Sequence, residues 1–214
     1  HAKELLGEGF KGVACSDRWS GYNWLPLEQR ALCWAHLVRE FRRMSERPGE
    51  SAEIGEALME HGYQVFWDWR RYQAGEIQRC TFKQYMRGLR RQVHLLLKQG
   101  ANYVTEKGQK SARAQTASTC RALLKVESAL WTFERKEIEP SNNRAERAIR
   151  PLVVLRKVCY GTQSEQGSRL IERLFSVVRS CRQQNRSALA FMKQSIEAHL
   201  GVGTMPSLVS EGLR

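Results

Sequence analysis

The chain has 214 residues, enough for one domain or for a core domain that carries a large insertion. Hydrophobic residues make up 42% and charged residues 27%, which is typical of a globular chain and excludes a disordered one. No run approaches the roughly 18 consecutive apolar residues of a membrane-spanning helix, so we expect no membrane association. The opening HAKELLGEGF shows neither an initiator Met nor a signal pattern, which suggests a fragment of a longer protein.

The positive charge is concentrated in two regions. The net charge of +13 comes from 35 Lys and Arg against 22 Asp and Glu. Residues 79–125 contain eleven basic residues and one acid, and residues 144–157 contain five and one, whereas residues 1–40 balance. Because a merely solvated surface usually mixes the two signs, we expect these regions to bind a polyanion, most simply a nucleic-acid backbone.

The six cysteines are scattered and form no Cys-x-x-Cys pair. This pattern indicates reduced thiols in a cytosolic protein rather than a disulfide framework. Cys33 and His36 have the spacing of half a zinc site, but a single pair is weak support for a metal.

The first elements are short. Ala2–Leu6 has the pattern of a helix end, and residues 12–16 predict a buried strand with Asp17 just beyond its carboxyl end. Residues 31–35 fit either a second strand or the start of the next helix. From His36 to about Trp131 the periodicity is almost wholly helical, and its aromatic and leucine stripes are interpreted as core.

Helix boundaries follow from capping residues. Ser51 and Thr81 are predicted N-caps of helices that end at Gly75 and Gly100. A loop at 137–143 precedes a short helix at 144–150, which Pro151 is expected to close. Ser164 is predicted to begin an amphipathic helix, and residues 188–200 form a shorter one before a loose tail at 201–214.

Two acids are candidates for metal chemistry. Only two of the 22 acids are Asp, so Asp17 at a strand end stands out, and Glu146 lies among arginines after a capping loop. Carboxylates from distant segments suit a two-metal phosphoryl-transfer site, because Mg²⁺ prefers hard oxygen ligands. The plainer interpretation is a surface pair of Glu146 with Arg150 and a turn role for Asp17.

Four segments carry a resemblance to a known family: SDRWSGYNW (16–24), LCWAHLVREF (32–41), LWTFERKEIEPSNNRAERAIRPLVVLRK (130–157) and GTQSEQGSRLIERLFSVVRSCRQQNRS (161–187). They resemble the C-terminal catalytic part of the insertion sequence 66 family of bacterial transposases, over about residues 1–200. The resemblance implies a DDE transposase with an α/β, ribonuclease H-like fold. Its core would comprise residues 1–36 and 140–200, interrupted by an all-helical insertion at 37–139.

The same resemblance implies site residues. Asp17 matches the second acid of the family and Glu146 the third, as ligands of a Mg²⁺ pair for which Mn²⁺ is an alternative. His36 is expected near the catalytic centre. No Asp precedes Asp17, and Asp68 lies in the insertion, so the first acid and the first strands are expected to be missing, which leaves the fold incomplete at its N-terminus.

Further residues are expected around these acids. Asn142 and Asn143 are interpreted as helix caps or as residues that position Glu146. The basic residues expected to contact the DNA backbone, without reading its sequence, are Arg87, Arg90, Arg91, Lys98, Arg144, Arg147, Arg150, Arg156 and Lys157.

The implied function is DNA transposition. The protein would bind transposon ends, hydrolyse a phosphodiester and transfer the resulting 3′-OH into target DNA, as a homo-oligomer at the bacterial nucleoid. A truncated, non-catalytic DNA-binding remnant is one alternative, and an RNA-processing nuclease of the same fold is another. We expect the carboxylates of Asp17 and Glu146 to lie within about 8 Å of each other. We also expect apolar surface around Val13, Trp19 and Trp34 to lack cover.

Overall fold

The computed structural model describes residues 2–7, 9–106 and 108–209, which are mostly helical and include a small parallel sheet. This composition is consistent with the predicted α/β class, whereas the ribonuclease H-like fold stays a prediction. The strands are β1 (Ala14–Ser16) and β2 (Arg30–Leu32). The helices are α1 (Ala2–Leu6), α2 (Trp34–Ser45), α3 (Glu50–Gln73), α4 (Arg79–Ala101), α5 (Ala112–Lys125), α6 (Glu127–Leu130), α7 (Thr132–Lys136), α8 (Asn143–Val158), α9 (Glu165–Gln183) and α10 (Ala188–His199).

The two strands end at the same edge of the sheet. They pair in parallel with Ser16 opposite Leu32, and the backbone N–H of Cys33 donates to the carbonyl of Ser16 at 2.8 Å. Residues 17–29 connect the strands through two short 3₁₀ turns, which is the length that a parallel crossover needs. Asp17 follows β1 directly, as predicted, and the ambiguous segment 31–35 contains both the end of β2 and the start of α2.

A single hydrophobic core joins β2 to helices α2–α7. Trp34 is 0% exposed, and its ring packs edge-on against that of Trp131 with 5.1 Å between the centroids. Its Nε1 donates a hydrogen bond to the carbonyl of Leu130 at 2.8 Å. The expectation that Trp34 lacks cover is therefore wrong, because α6 and α7 bury it. Trp19 is exposed and Val13 is half-buried.

Close approach between helices depends on glycine at two positions. A Cβ at Gly55 of α3 would lie 2.3 Å from the backbone nitrogen of Ser45 at the end of α2. A Cβ at Gly100 would lie 2.6 Å from Sγ of Cys120 in α5. The prediction that Gly100 ends its helix is wrong, because α4 continues to Ala101 and Gly100 is a buried packing position.

Two predicted N-caps are also wrong. Gly49 is the N-cap of α3, with a φ of +66° that favours glycine, and Ser51 is buried within the first turn. Helix α4 begins at Arg79 after an extended Gln78, so Thr81 lies inside it. Gly75, with a φ of +74°, follows the end of α3 as predicted.

Among the described residues, those up to 143 form one compact unit and those from 144 onward form a second. Ser164 and Ser187 cap α9 and α10, since their hydroxyls accept from the N–H groups of Gly167 and Ala190. The prediction that Pro151 closes a short helix is wrong, because α8 continues to Val158. The proline removes one hydrogen bond to a backbone carbonyl, but α8 contains no buried residue, so water can satisfy that carbonyl.

The domain boundaries near residues 36 and 139 stay a prediction. Residues 201–209 contain neither helix nor strand, and the rest of the predicted tail lies outside the described residues. Within the part of the chain that the structure describes, no helix combines the length and apolar character needed to cross a membrane.

Candidate active site

Asp17 lies at the carboxyl edge of the sheet with its side chain exposed. Its Oδ1 accepts a hydrogen bond from the backbone N–H of Trp19 at 3.1 Å, which fixes the turn after β1. No described residue donates a hydrogen bond to Oδ2. One carboxylate oxygen is therefore held by the loop, and the other is accessible to a ligand.

Asp17 and His36 line the same cavity. The cavity has a volume of about 330 Å³ and lies between the turn after β1 and the first three turns of α2. It is lined by Asp17, Arg18, Trp19, Cys33, His36, Leu37, Glu40 and Arg43. The structure thus brings together two of the residues that the sequence predicts for one site.

An ion pair that sequence reasoning missed crosses this cavity. Arg18 pairs with Glu40, which lies one helical turn beyond His36 in α2. Arg43 adds a second cation to the same wall. The sequence does contain a signal for Glu40 as a site residue, because its spacing from His36 in WAHLVREF places both on one helix face. The pairing of Glu40 with Arg18 could not be predicted from local sequence, because the two residues are 22 positions apart.

The segment before α8 is anchored beside the same sheet edge. The backbone N–H of Trp34 donates to the carbonyl of Pro140 at 2.8 Å, and that of Asn142 donates to Sγ of Cys33 at 3.4 Å. Pro140 and Ser141 are buried. Asn142 therefore lies close to the end of β2, while its side-chain role, and that of Asn143 as the first residue of α8, stay predictions.

The cysteines near this edge are thiols in a buried setting. Burial is the main cause that raises the pKa of Cys15 to about 12, and the nearby Cys33 and Glu139 contribute to the same rise. All six cysteines are free. Among the described residues, no group of three or more His, Cys, Asp and Glu side chains could hold a metal ion. Cys33 and His36 do not belong to such a group within that part of the chain.

Glu146 lies in the second unit, in the first turn of α8, and is half-buried. The basic residues predicted around it are all exposed: Arg144, Arg147, Arg150, Arg156 and Lys157. Asp17 belongs to the first unit. The predicted closeness of the two carboxylates therefore stays a prediction.

The basic residues of α4 share one exposed helix face. Arg87, Arg90 and Arg91 surround a shallow depression of about 380 Å³ together with His94 and Glu127. His94 Nδ1 lies 2.8 Å from Glu127 Oε2. Lys98 continues the face at the spacing of one helical turn from His94. These side chains present cations to solvent, which suits phosphate contacts.

Basic residues clustered on exposed helix faces are typical of proteins that bind nucleic acids. The model of the family described as Transposase IS66 family matches residues 1–170, a span that includes both Asp17 and Glu146. Because the match covers most of the chain, the protein belongs to the IS66 family of transposases. Membership in a transposase family implies DNA as the partner. No curated protein and no solved structure gave a significant match.

Proposed function

We propose that this chain provides part of a DDE catalytic centre of ribonuclease H-like type, which cleaves transposon ends and joins them to target DNA. Asp17 and Glu146 are two of its metal-binding carboxylates, and His36 contacts the reacting phosphate. The observation that carries the proposal is the shared cavity of Asp17 and His36 at the carboxyl edge of the sheet. In open α/β sheets, this edge is where ligands bind.

Chain connectivity supports the inclusion of Glu146. Asn142 is anchored to Cys33, next to the strand end that pairs with Ser16. Glu146 lies four positions after Asn142, and a fully extended chain of that length spans at most about 14 Å. The chain connection is therefore compatible with the inclusion of Glu146 in the proposed site.

The side chains fit a hard divalent cation. Asp17 offers a carboxylate oxygen to which no described residue donates, and Glu146 offers a second carboxylate. Oxygen ligands of this kind suit Mg²⁺ and Mn²⁺. When bound, such ions activate the attacking oxygen and stabilise the leaving oxygen of an in-line displacement.

The remaining groups of the cavity would act on the DNA strand. Arg43 supplies positive charge beside the scissile phosphate, whereas Arg18 is paired with Glu40. His36 lies at the start of α2 to hydrogen-bond one of the phosphate oxygens. In the first step a water oxygen bonds to phosphorus and the bond to the 3′ oxygen breaks, leaving a 3′-OH. In the second step that 3′-OH bonds to a phosphorus of the target strand, displacing a target 3′ oxygen.

The test is cleavage of supercoiled plasmid DNA in Mg²⁺ or Mn²⁺. With the family's first acid supplied on a longer chain, we expect nicking that needs the metal and that is lost in Asp17→Asn, which keeps the shape of the side chain but removes its charge. Glu53→Gln, at an exposed acid of α3, is the matched control and should nick normally. Absence of nicking by that longer chain, with DNA binding retained, would favour the non-catalytic DNA-binding alternative.

A further inference from the structure

A groove on α3 exposes two large aromatic rings. It has a volume of about 470 Å³ and is lined by Glu60, Tyr63, Gln64, Phe66, Trp67 and Arg70. Tyr63 is 46% exposed and Trp67 is 58% exposed. The two residues are four positions apart, so their side chains are neighbours on one helix face.

The core of the protein does not need these rings. Helix α3 already buries Ile54, Leu58 and Val65, and its Trp69 packs edge-on against Phe82 and Phe133. A single exposed apolar side chain is ordinary, but two adjacent aromatic rings at the mouth of a groove form a surface that can bind a partner. The exposed pair is therefore available for a role other than packing.

Arginines lie on both sides of the rings. Nη2 of Arg42 in α2 donates a hydrogen bond to the hydroxyl of Tyr63 at 2.7 Å. Arg70 lines the groove one turn beyond Trp67 and forms no ion pair within the described residues. The neighbouring Arg71, by contrast, pairs with Asp68 and Glu76. The two rings of the groove thus lie near two cations, Arg70 in its lining and Arg42 at the hydroxyl of Tyr63.

We propose that this groove binds unpaired nucleotides of a DNA strand, with bases stacked on Trp67 and Tyr63 and phosphates at Arg42 and Arg70. Aromatic rings beside cations are the means by which proteins hold single-stranded nucleic acid, since every base has a π-face. The carboxylate of Glu60 can accept hydrogen bonds from the amino group of a base. The inference rests on the proposed function for the identity of the ligand, but it concerns a different surface.

Paired DNA cannot stack its bases on the two exposed rings of the groove. The bases of a duplex are stacked on one another, so their faces reach a protein ring only after they leave the helix. An apolar partner would use the rings but would leave the guanidinium of Arg70 without a counter-charge. An unpaired strand matches both features of the groove.

The experiment measures binding of two fluorescent probes by anisotropy, in EDTA so that no cleavage occurs. One probe is a single strand of about ten nucleotides, and the other is a flush-ended duplex of the same sequence. We expect Trp67→Ala and Tyr63→Ala each to weaken single-strand binding at least about fivefold, with little change for the duplex. Trp67→Phe should retain most of the affinity, because it keeps an aromatic face.

Tyr160→Ala removes an exposed ring in the second unit and is the matched control. Circular dichroism verifies that each variant is folded. Unchanged single-strand binding in both alanine variants overturns the inference and leaves the proposed function intact if the duplex still binds. Equal losses for both probes, or a Trp67→Phe variant as weak as Trp67→Ala, overturn base stacking. Loss of self-association in Trp67→Ala, measured by sedimentation, would assign the groove to a second copy and also overturn the inference.

Discussion

The backbone N–H of Asn142 donates a hydrogen bond to Sγ of Cys33 at 3.4 Å, across 109 positions of the chain. Cys33 is 0% exposed, so water does not compete for this contact. The neighbouring bond from the N–H of Trp34 to the carbonyl of Pro140 holds the same loop. Together these bonds fix the segment before α8 at the sheet edge where Asp17 lies.

The first prediction concerns this anchor. Cys33→Ala removes the acceptor and leaves the N–H of Asn142 unpaired in a half-buried position, so we expect the free energy of unfolding to fall by about 1–3 kcal/mol. Urea denaturation measures the change. Cys80→Ala, at an exposed cysteine of α4, should stay within about 0.5 kcal/mol of the unaltered chain. Equal stabilities of the two variants would contradict the anchoring role.

The second prediction compares two helical glycines. A Cβ at Gly55 meets backbone atoms of α2, so Gly55→Ala should destabilise by about 1–3 kcal/mol through overpacking. A Cβ at Gly88 in α4 meets nothing within 4 Å, so Gly88→Ala should stabilise by about 0.5–1 kcal/mol. Thermal unfolding should show shifts of opposite sign, and shifts of the same sign would argue against the packing of α2 on α3.

Local chemistry predicts the elements whose ends depend only on nearby residues. The N-cap of α9 at Ser164 and the end of α3 at Gly75 can be predicted from the sequence, because a capping hydroxyl and a positive φ both act within one helical turn. The sequence wrongly predicts Gly100 as a helix end. Glycine is needed there because Cys120 of another helix packs against that position, and no local pattern shows this contact. The sequence wrongly predicts that Pro151 ends its helix. The proline is tolerated because α8 has no buried residue, and that exposure depends on the tertiary fold.

The same distinction applies to the candidate site. The position of Asp17 after β1 followed from a strand pattern, and Asp17 lines one cavity with His36, whose role in catalysis stays a prediction. The pairing of Arg18 with Glu40 depends on how the turn after β1 meets α2, which no local pattern records. The relation of Asp17 to Glu146 depends on two separate units and stays a prediction.

The third prediction uses the reactivity of the cysteines, because the thiolate is the reacting form. Burial raises the pKa of Cys15 to about 12 and that of Cys120 to about 11, so almost no thiolate is present at either at pH 8. Cys33 and Cys181 are buried as well, whereas Cys80 and Cys159 are exposed. We expect two thiols to react rapidly with a disulfide reagent at pH 8, and six after denaturation. A rapid reaction of three or more in the folded protein would contradict the burial.

The fourth prediction concerns the basic face of α4. Each phosphate contact contributes about −0.9 to the slope of log K against log salt concentration for duplex DNA. Replacing Arg87, Arg90 and Arg91 by Ala should therefore make the slope shallower by up to about 2.7. Lys11 and Lys136 are exposed lysines outside the two basic regions, and their replacement should leave the slope unchanged. An unaltered slope in the triple variant would mean that this face is only solvated.

The last prediction tests whether Asp17 and Glu146 share a metal centre without relying on catalysis. Fe²⁺ that replaces Mg²⁺ and reacts with ascorbate and peroxide generates hydroxyl radicals, which cut the backbone close to the bound ion. If the two carboxylates lie within about 8 Å, as a two-metal site needs, the chain should be cut both near residue 17 and near residue 146. Excess Mg²⁺ should suppress both cuts together, and Asp17→Asn should weaken the distant cut near 146 as well as the local one. The control Glu53→Gln should leave both unchanged, because that acid is exposed on α3. Cutting at one position alone, or two cuts that respond independently to Asp17→Asn, would separate the two acids and remove the shared site.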